Sequence, residues 1–237
     1  MKLVVATHNE GKLVEMRRIL EDLLKDRADE IELVTAGSLG LPDPVEDGVT
    51  FEQNALLKAT DVARRTGLPA IADDSGLAVD VMHGAPGIFS ARWSGKHGDD
   101  DANNALLLAQ LADINEPNRG ATFMCAAALA VPSPEPLSSS AADLSSPAQA
   151  AQDSEYPYAV AWSKVEVGQM RGRLLRETRG EHGLGYDPLF VPDDQPERVS
   201  GGEPLTSAQM TAEEKDAISH RGKALRALLP TVAQLLH

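Results

Sequence analysis

The sequence predicts a mixed α/β fold in which a β-sheet is flanked by helices. In the first half of the chain, short apolar runs alternate with segments whose apolar residues recur at helical spacing. Two long runs with few charges follow, at 122–131 and 158–167. Alternating strands and helices followed by paired strands favour a mixed sheet. A chain of 237 residues, 42% of them hydrophobic, is long enough for a single domain over 1–237.

The predicted elements follow one another along the chain. The strands are 3–6, 31–35, 68–72, 122–131 and 158–167, and the helices are 13–24, 50–63, 99–111 and 220–229. Thr50 and Gln53 predict a capping box at the start of the second helix. A second capping box at Thr211 to Glu214, and a cap at Ser219, predict that the C-terminal part is helical.

Residues 132–157 differ in composition from the rest of the chain. They are rich in proline, serine and alanine, with serine clusters at 138–140 and 145–146. Such a segment buries too little apolar surface to form a packed core. We therefore predict a flexible insertion at 132–157, between two strands.

Charge and composition exclude several classes of protein. The formal charge of −14 repels a polyphosphate backbone, so no nucleic-acid polymer is expected as a partner. Cys125 is the only cysteine in the sequence, which excludes an intrachain disulfide and a zinc site built on thiolates. The first apolar run is too short for a signal peptide, and no run has the length of a membrane span. We expect a cytoplasmic protein without a membrane partner.

The first strand ends in the loop Thr7-His8-Asn9-Glu10-Gly11-Lys12, which leads into a helix. Backbone N–H groups and the helix dipole at such a position favour a phosphate, and Lys12 adds a cation. The loop is not a Walker A motif, since Ala6 stands in place of its first glycine and Leu13 in place of its serine or threonine. Taken alone, a solvated lysine on a helix is the commoner role for Lys12.

Two consecutive carboxylates, Asp73 and Asp74, come directly after the buried run 68–72. Acids in that position need a partner or a cation, and their oxygens suit magnesium. On a regular strand they point to opposite faces, so one is expected to bind the metal or act as a base while the other orients neighbouring groups. Alternatively, both cap a turn at Ser75-Gly76.

Other polar groups are weaker candidates when each is taken alone. Asn54 and Lys58 share one helix face, although a solvated face is the ordinary explanation of such a pair. The Glu46-Asp47 pair that precedes this helix is equally consistent with an acidic loop. The glycines of 182–188 let the backbone approach a flat ligand. Lys215, His220 and Arg221 lie around a helix junction, where they can donate to one ligand or remain surface cations.

Taken together, these stretches resemble the inosine triphosphate pyrophosphatase family, which acts on nonstandard purine nucleoside triphosphates. The matching blocks are 6–12, 51–59, 72–77, 87–95, 183–188 and 219–222. They occur in the family's order, and the resemblance covers nearly the whole chain except 132–157 and the extreme C-terminus. Coincidence is not a reasonable explanation of that many ordered blocks.

The resemblance implies roles for individual residues. Glu46 and Asp74, with Asp73 beside them, are implied to bind Mg²⁺, and Asp74 is also implied to be the catalytic proton acceptor. The residues implied to hold the triphosphate are Thr7, His8, Asn9, Glu10, Gly11, Lys12 and Lys58. The residues implied to hold the sugar and the base are Ser75, Leu184, Gly185, Tyr186, Asp187, Lys215, His220 and Arg221.

The resemblance also implies an elongated, twisted mixed sheet in two lobes, with the nucleotide in the cleft, and a homodimer. Two features depart from the family pattern. Leu184 stands where the family usually has an aromatic residue, which predicts weaker stacking on the base. The insertion at 132–157 is longer than the family pattern, although it lies outside every matching block.

The expected reaction converts ITP, dITP or XTP to the monophosphate and pyrophosphate. Lys215 or Arg221 can donate to the O6 atom of hypoxanthine or xanthine, whereas adenine presents an amino donor at that position. Two alternatives remain at this point: a pyrophosphatase of the related septum-inhibitor class, and a nucleotide-binding sensor that does not hydrolyse. Asn9, Gly11 and Lys12 argue against the first, and the set of carboxylates argues against the second.

Overall fold

The computed structural model describes residues 1–7, 9–137, 155–199 and 202–236. Its strands are β1 (Lys2–Val5), β2 (Glu32–Thr35), β3 (Ala70–Val79), β4 (Gly120–Pro132), β5 (Val160–Leu174) and β6 (Phe190–Pro192). Its longer helices are α1 (Glu10–Leu24), α2 (Phe51–Thr66), α3 (Asp100–Gln110), α4 (Ala212–Ile218) and α5 (His220–Gln234). None of the helices in these described ranges is both long and apolar enough to cross a membrane.

The strands form one mixed sheet in the order β2-β1-β3-β4-β5-β6. β1 pairs in parallel with β2 and with β3, and the last paired positions are Val5 with Thr35 and Val5 with Ile71. β5 pairs antiparallel with β6. The predicted mixed sheet with flanking helices is therefore confirmed.

Two compact units are formed by this chain. The first contains Met1–Asp73, Ala127–Glu166 and Leu228–His237, and the second contains Asp74–Ala126 and Val167–Ala227. In the first unit, fully buried side chains include Leu3, Met16, Leu20 and Ile71. In the second unit, one apolar cluster is formed by Leu77, Val79, Leu107, Leu111, Ala121, Phe123, Met170, Leu174, Tyr186, Leu189 and Phe190.

Two strands extend beyond their predicted ends. β3 was expected to stop at residue 72, but it continues to Val79, with Leu77 and Val79 completely buried. The two aspartates interrupt the apolar run, so the sequence signal ends before the strand does. β5 continues to Leu174 because its exposed and buried residues alternate there, with Arg171 and Arg173 outward between buried neighbours. Such alternation is typical of a strand with one covered face, which a search for apolar runs misses.

The helix starts predicted at 50, 99 and 220 are confirmed to within one residue, whereas α1 begins at Glu10, three residues before its predicted start. Thr50 Oγ1 accepts from the N–H of Gln53, as expected, but the Gln53 side chain accepts from the N–H of Val49 at 2.8 Å instead of from Thr50. The reciprocal box is complete at Thr211 and Glu214, whose side chains each accept from the other's backbone N–H. The helix predicted at 220–229 runs further, to Gln234, and contains Pro230.

The ends of the predicted insertion pair with each other. The N–H of Ser133 donates to the carbonyl of Ala159 at 2.8 Å, and that of Leu137 donates to the carbonyl of Pro157 at 2.7 Å. The expectation of a flexible insertion at 132–157 falls mainly on 138–154, which lie outside the described residues.

Candidate active site

The loop between β1 and α1 has the local geometry that suits an anion. Asn9 caps α1, because its Oδ1 accepts from the N–H of Lys12 at 2.9 Å. Thr7 Oγ1 accepts from the N–H of Asn9 at 3.3 Å. The first N–H groups of a helix have no intrahelical acceptor, so Glu10 and Gly11 present backbone donors at the positive end of the helix dipole. His8, the remaining predicted residue of this loop, lies outside the described residues.

The first turns of α2 hold the preceding loop. Lys58 Nζ donates to Glu46 Oε1 at 2.7 Å, with the lysine side chain 9% exposed and the glutamate side chain 30% exposed. Asn54 Oδ1 accepts from the N–H of Gly48 at 2.9 Å. The face of α2 that was predicted to reach a ligand therefore contacts the loop of Glu46. Since Glu46 was assigned to the metal and Lys58 to the triphosphate, the structure brings two predicted site residues into contact.

Asp73 and Asp74 lie inside β3 instead of at its carboxyl end, and this corrects the sequence-based expectation. The alternative of two caps on a turn at Ser75-Gly76 is wrong for the same reason, because the strand continues through both residues. Asp73 is 1% exposed and Asp74 is 6% exposed. Asp74 Oδ1 accepts from the N–H of Ser75 at 3.1 Å.

Strand pairing places Asp73 beside the loop that follows β1. The parallel pairing of β1 with β3 ends at Val5 and Ile71, so Thr7 and Asp73 each lie two residues beyond the last pair. Because β1 and β3 are parallel, both segments leave the paired region at the same end. A carboxylate and a candidate phosphate loop are therefore neighbours within the first unit.

The candidate metal ligands have the chemistry that magnesium requires. Asp73, Asp74 and Glu46 offer hard carboxylate oxygens, and the two aspartates are held in a strand with little exposure to water. Within the part of the chain that the structure describes, no group of three or more His, Cys, Asp or Glu side chains could hold a metal. Magnesium commonly takes only one or two carboxylates together with water and substrate phosphates, so the chemistry of either buried aspartate fits it without such a group.

In the second unit, the predicted residues around α5 are buried and in contact with the sheet. Arg221 is 3% exposed, and its guanidinium donates to Ser75 Oγ at 3.4 Å. The ring of His220 stacks on Phe123, with centroids 4.9 Å apart and planes at 11°. Ser219 Oγ accepts from the N–H of Gly222 at 2.9 Å, which caps the start of α5 as predicted. The cap and the stacked ring fix where the first turn of α5 lies.

The glycine loop 183–187 is joined to α4 by a buried ion pair. Lys215 Nζ lies 2.6 Å from Asp187 Oδ2, and the side chains are 10% and 2% exposed. Asp187 Oδ2 also accepts from the N–H of Leu184 at 2.7 Å. Gly183 adopts φ +87°, and a Cβ there would collide with the Asp187 carboxylate, so the turn requires glycine.

Burial, and to a smaller extent the charge of Asp100, raise the pKa of the Tyr186 phenol, which donates to the Ser90 carbonyl at 2.9 Å.

Several residues that contact this loop were not predicted from the sequence. Asp100 and Asn104 of α3 both bind the peptide groups of Gly185, and Ser90 accepts from Tyr186. The only local signal is that Asp100 and Asn104 are four residues apart and so share one helix face. No sequence pattern shows which distant loop that face contacts.

The predicted site residues therefore divide between the two units. The first unit contains the phosphate-loop residues, Lys58, Glu46 and Asp73. Among these, Lys58 contacts Glu46, while Thr7 and Asp73 each follow the last paired residues of β1 and β3 by two positions. The second unit contains Asp74 and the residues assigned to sugar and base, among which Ser75 contacts Arg221 and Asp187 contacts Lys215.

Comparisons with known proteins give a consistent result. The sequence model of the Ham1 family matches residues 3–145 and 148–231. A protein named dITP/XTP pyrophosphatase from Bifidobacterium longum subsp. infantis is 63% identical over 252 aligned positions, covering 100% of both chains. Another of that name, from Streptomyces avermitilis, is 49% identical and covers 99% of this chain and 98% of its own length.

Solved structures agree with the sequence relatives. A HAM1 protein from Coxiella burnetii has a TM-score of 0.73 at 33% identity, covering 99% of each chain. A structure from Mycobacterium abscessus, titled nucleoside-triphosphatase / dITP/XTP pyrophosphatase, has a TM-score of 0.65 at 43% identity, covering 97% of this chain and 100% of that one. The resemblance that the sequence blocks indicated is confirmed. The chain belongs to the Ham1 family.

Proposed function

We propose that this protein hydrolyses nonstandard purine nucleoside triphosphates, namely ITP, dITP and XTP, to the monophosphate and pyrophosphate. The observation that carries the proposal is the pair of buried carboxylates, Asp73 and Asp74, on the strand that pairs with β1 just before a helix-capped anion loop. The names of the full-length relatives give the substrate class.

Asp74 accepts the proton of the attacking water in this proposal. The water oxygen attacks the α-phosphorus, a new P–O bond forms, and the bond from that phosphorus to the bridging oxygen of the β-phosphate breaks. Pyrophosphate leaves with the electron pair of that bond. The negative charge of the Asp74 carboxylate makes it a competent acceptor, and a positioned base contributes about 100-fold to 10,000-fold to such a step.

The residues that bind the triphosphate act through their cations and backbone donors. Lys12, Lys58 and the N–H groups at the start of α1 bind phosphate oxygens, and Thr7 with Asn9 fixes the loop that presents those groups. In the described structure Lys58 is paired with Glu46, so substrate must compete with that carboxylate for the ammonium group.

We propose Mg²⁺ as the metal, bound by Glu46 and Asp74 with Asp73 beside them. When bound, the ion supplies positive charge that offsets the charge developing on the phosphate oxygens. A fully charged triphosphate next to buried carboxylates needs that charge, because like charges at close range repel strongly in a site with little water. The protein residues then have to hold the substrate, position water and accept its proton.

Base recognition is assigned to the second unit. Lys215 and Arg221 are the proposed donors to the O6 atom of hypoxanthine or xanthine. Both are cations with several N–H groups, and each contacts a residue that is itself assigned to the sugar or the base, Asp187 and Ser75 respectively. Adenine presents an amino group at the same position, which leaves donors facing donors. Discrimination of this kind, in which a buried polar group loses its partner, can be large.

The setting of the reaction is also part of the proposal. We place the enzyme in the cytoplasm as a homodimer that removes nonstandard triphosphates from the nucleotide pool. A single buried thiol, Cys125, suits a reducing compartment.

Pyrophosphate release from a panel of triphosphates tests the proposed function. With Mg²⁺ present, kcat/KM for dITP and XTP is expected to exceed that for dATP by about a hundredfold or more, since a mismatched buried donor costs several kcal/mol. Release of orthophosphate in place of pyrophosphate, or equal rates for all bases, contradicts the proposal. Binding of dITP without any release identifies a nucleotide sensor instead.

A further inference from the structure

The geometry around Gly185 points to a role for the start of α3. We propose that Asp100 and Asn104 are positioning residues that fix the Gly185 peptide, and with it the loop Leu184 to Asp187. This loop is assigned to hold the sugar and the base, and its Asp187 binds the proposed O6 donor Lys215. This inference rests on the proposed function, because it concerns how the assigned base loop is held.

Both peptide groups of Gly185 are bound by one helix face. The N–H of Gly185 donates to Asp100 Oδ2 at 2.7 Å, and its carbonyl accepts from Asn104 Nδ2 at 2.9 Å. Asp100 and Asn104 are separated by one helical turn, so a single rigid element holds the donor and the acceptor of the same residue. Such a pair of bonds fixes both the position and the orientation of the backbone there.

The loop needs this restraint because of its composition. Gly183 and Gly185 have φ angles of +87° and +60°, and glycine loses more conformational freedom on ordering than any other residue. Leu184, between them, contributes an N–H to Asp187 Oδ2, the same oxygen that pairs with Lys215. A shift of the Gly185 peptide therefore moves the anchor of the proposed O6 donor.

The surroundings of Asp100 and Asn104 favour their hydrogen bonds to Gly185. Asp100 lies in the first turn of α3, where the helix dipole stabilises a negative charge. Asn104 is 6% exposed, so water cannot readily replace the hydrogen bond that it donates to Gly185.

Asn103, the preceding residue, is 1% exposed and binds a different loop: it accepts from the N–H of Ser94 at 2.7 Å and donates to the carbonyl of Ala91 at 3.3 Å.

The neighbouring asparagines provide a matched experiment. Asn104→Ala and Asn103→Ala each remove a buried amide from the same helix, but only the first releases Gly185. For Asn104→Ala, we expect the ratio of kcat/KM for dITP to that for dATP to fall about tenfold, the effect of one lost hydrogen bond, and mainly through KM for dITP. Asn103→Ala is expected to keep that ratio within about threefold, although both variants lose thermal stability.

A second pair of variants tests the other bond. Asp100 is half-buried, so Asp100→Ala is expected to fold, and it should lower the dITP to dATP ratio in the same direction as Asn104→Ala. Asp100→Asn retains an oxygen acceptor for the Gly185 N–H and should restore most of the ratio. Circular dichroism and thermal melts establish which variants are folded.

The outcomes separate the two proposals. Wild-type protein that releases no pyrophosphate from dITP contradicts the proposed function. If the wild type is selective but the folded Asn104→Ala and Asp100→Ala variants keep its dITP to dATP ratio, only the positioning role of Asp100 and Asn104 is contradicted. An equal fall of that ratio in Asn103→Ala also contradicts the positioning role, because it shows a general effect of loosening α3.

Discussion

Asp74→Asn is expected to lower kcat for dITP by about a thousandfold while the fold persists. The amide retains the size of the side chain and its acceptor for the N–H of Ser75, but it removes the negative charge and the basic oxygen. Loss of a charged ligand should also raise the magnesium concentration needed for the residual rate. Steady-state pyrophosphate release across a magnesium titration measures both effects, and circular dichroism verifies the fold.

Two further variants show whether the loss is specific to Asp74. Asp80, which pairs with Arg171, lies in the same unit as Asp74, and Asp80→Asn makes the same chemical change there. This variant should keep kcat within about threefold, as expected for a surface substitution. Asp73→Asn tests the neighbouring carboxylate. A folded Asp74→Asn variant that retains more than about a tenth of wild-type kcat removes Asp74 from the mechanism and transfers the role of base to Asp73.

Arg119→Met is expected to lower the free energy of unfolding by about 3–5 kcal/mol. Arg119 is 1% exposed, and its guanidinium donates to three backbone carbonyls: that of Leu111 at 2.7 Å, that of Leu174 at 3.0 Å and that of Leu175 at 2.6 Å. Methionine fills a similar volume without a donor, so each of the three carbonyls loses a charge-assisted hydrogen bond, and that of Leu111 keeps only the N–H of Ile114 at 3.1 Å. Urea denaturation of the wild type and the variant measures the difference.

Arg176 is the matched control for this prediction. It donates to the carbonyls of Ala112 and Ile114 and to Glu116, but its side chain is half exposed. Water can take over these bonds, so Arg176→Met should cost less than about 1 kcal/mol. Equal losses in the two variants contradict the view that burial of the Arg119 hydrogen bonds stabilises the second unit.

Elements with strong local signals were predicted closely from the sequence. The helix expected at 99–111 is Asp100–Gln110, and Asp99 caps it by accepting from the N–H of Ala102. The complete capping box at Thr211 and Glu214 was also predicted, because its hydrogen bonds join residues three apart. Local periodicity and capping chemistry are sufficient where the partners of a residue are its near neighbours in sequence.

Features that depend on distant partners were missed or misplaced. β3 was ended too early because Asp73 and Asp74 are polar in sequence, and their burial is decided by the strands on either side. The bond from Gly185 to Asp100 joins residues 85 apart, and that from Arg119 to Leu174 joins residues 55 apart. Neither separation leaves a pattern in a window of helix or strand length. Candidate site residues could be identified from the sequence, while the residues that hold them in place required the structure.

Hydrolysis of dITP in oxygen-18-labelled water tests the central claim most directly. Attack of water at the α-phosphorus places the label in the monophosphate and leaves the pyrophosphate unlabelled, and mass spectrometry of the two products measures this. The proposed mechanism predicts label in dIMP alone, at a rate that Asp74→Asn lowers about a thousandfold. Label in the pyrophosphate shows attack at the β-phosphorus, and it contradicts the proposed reaction.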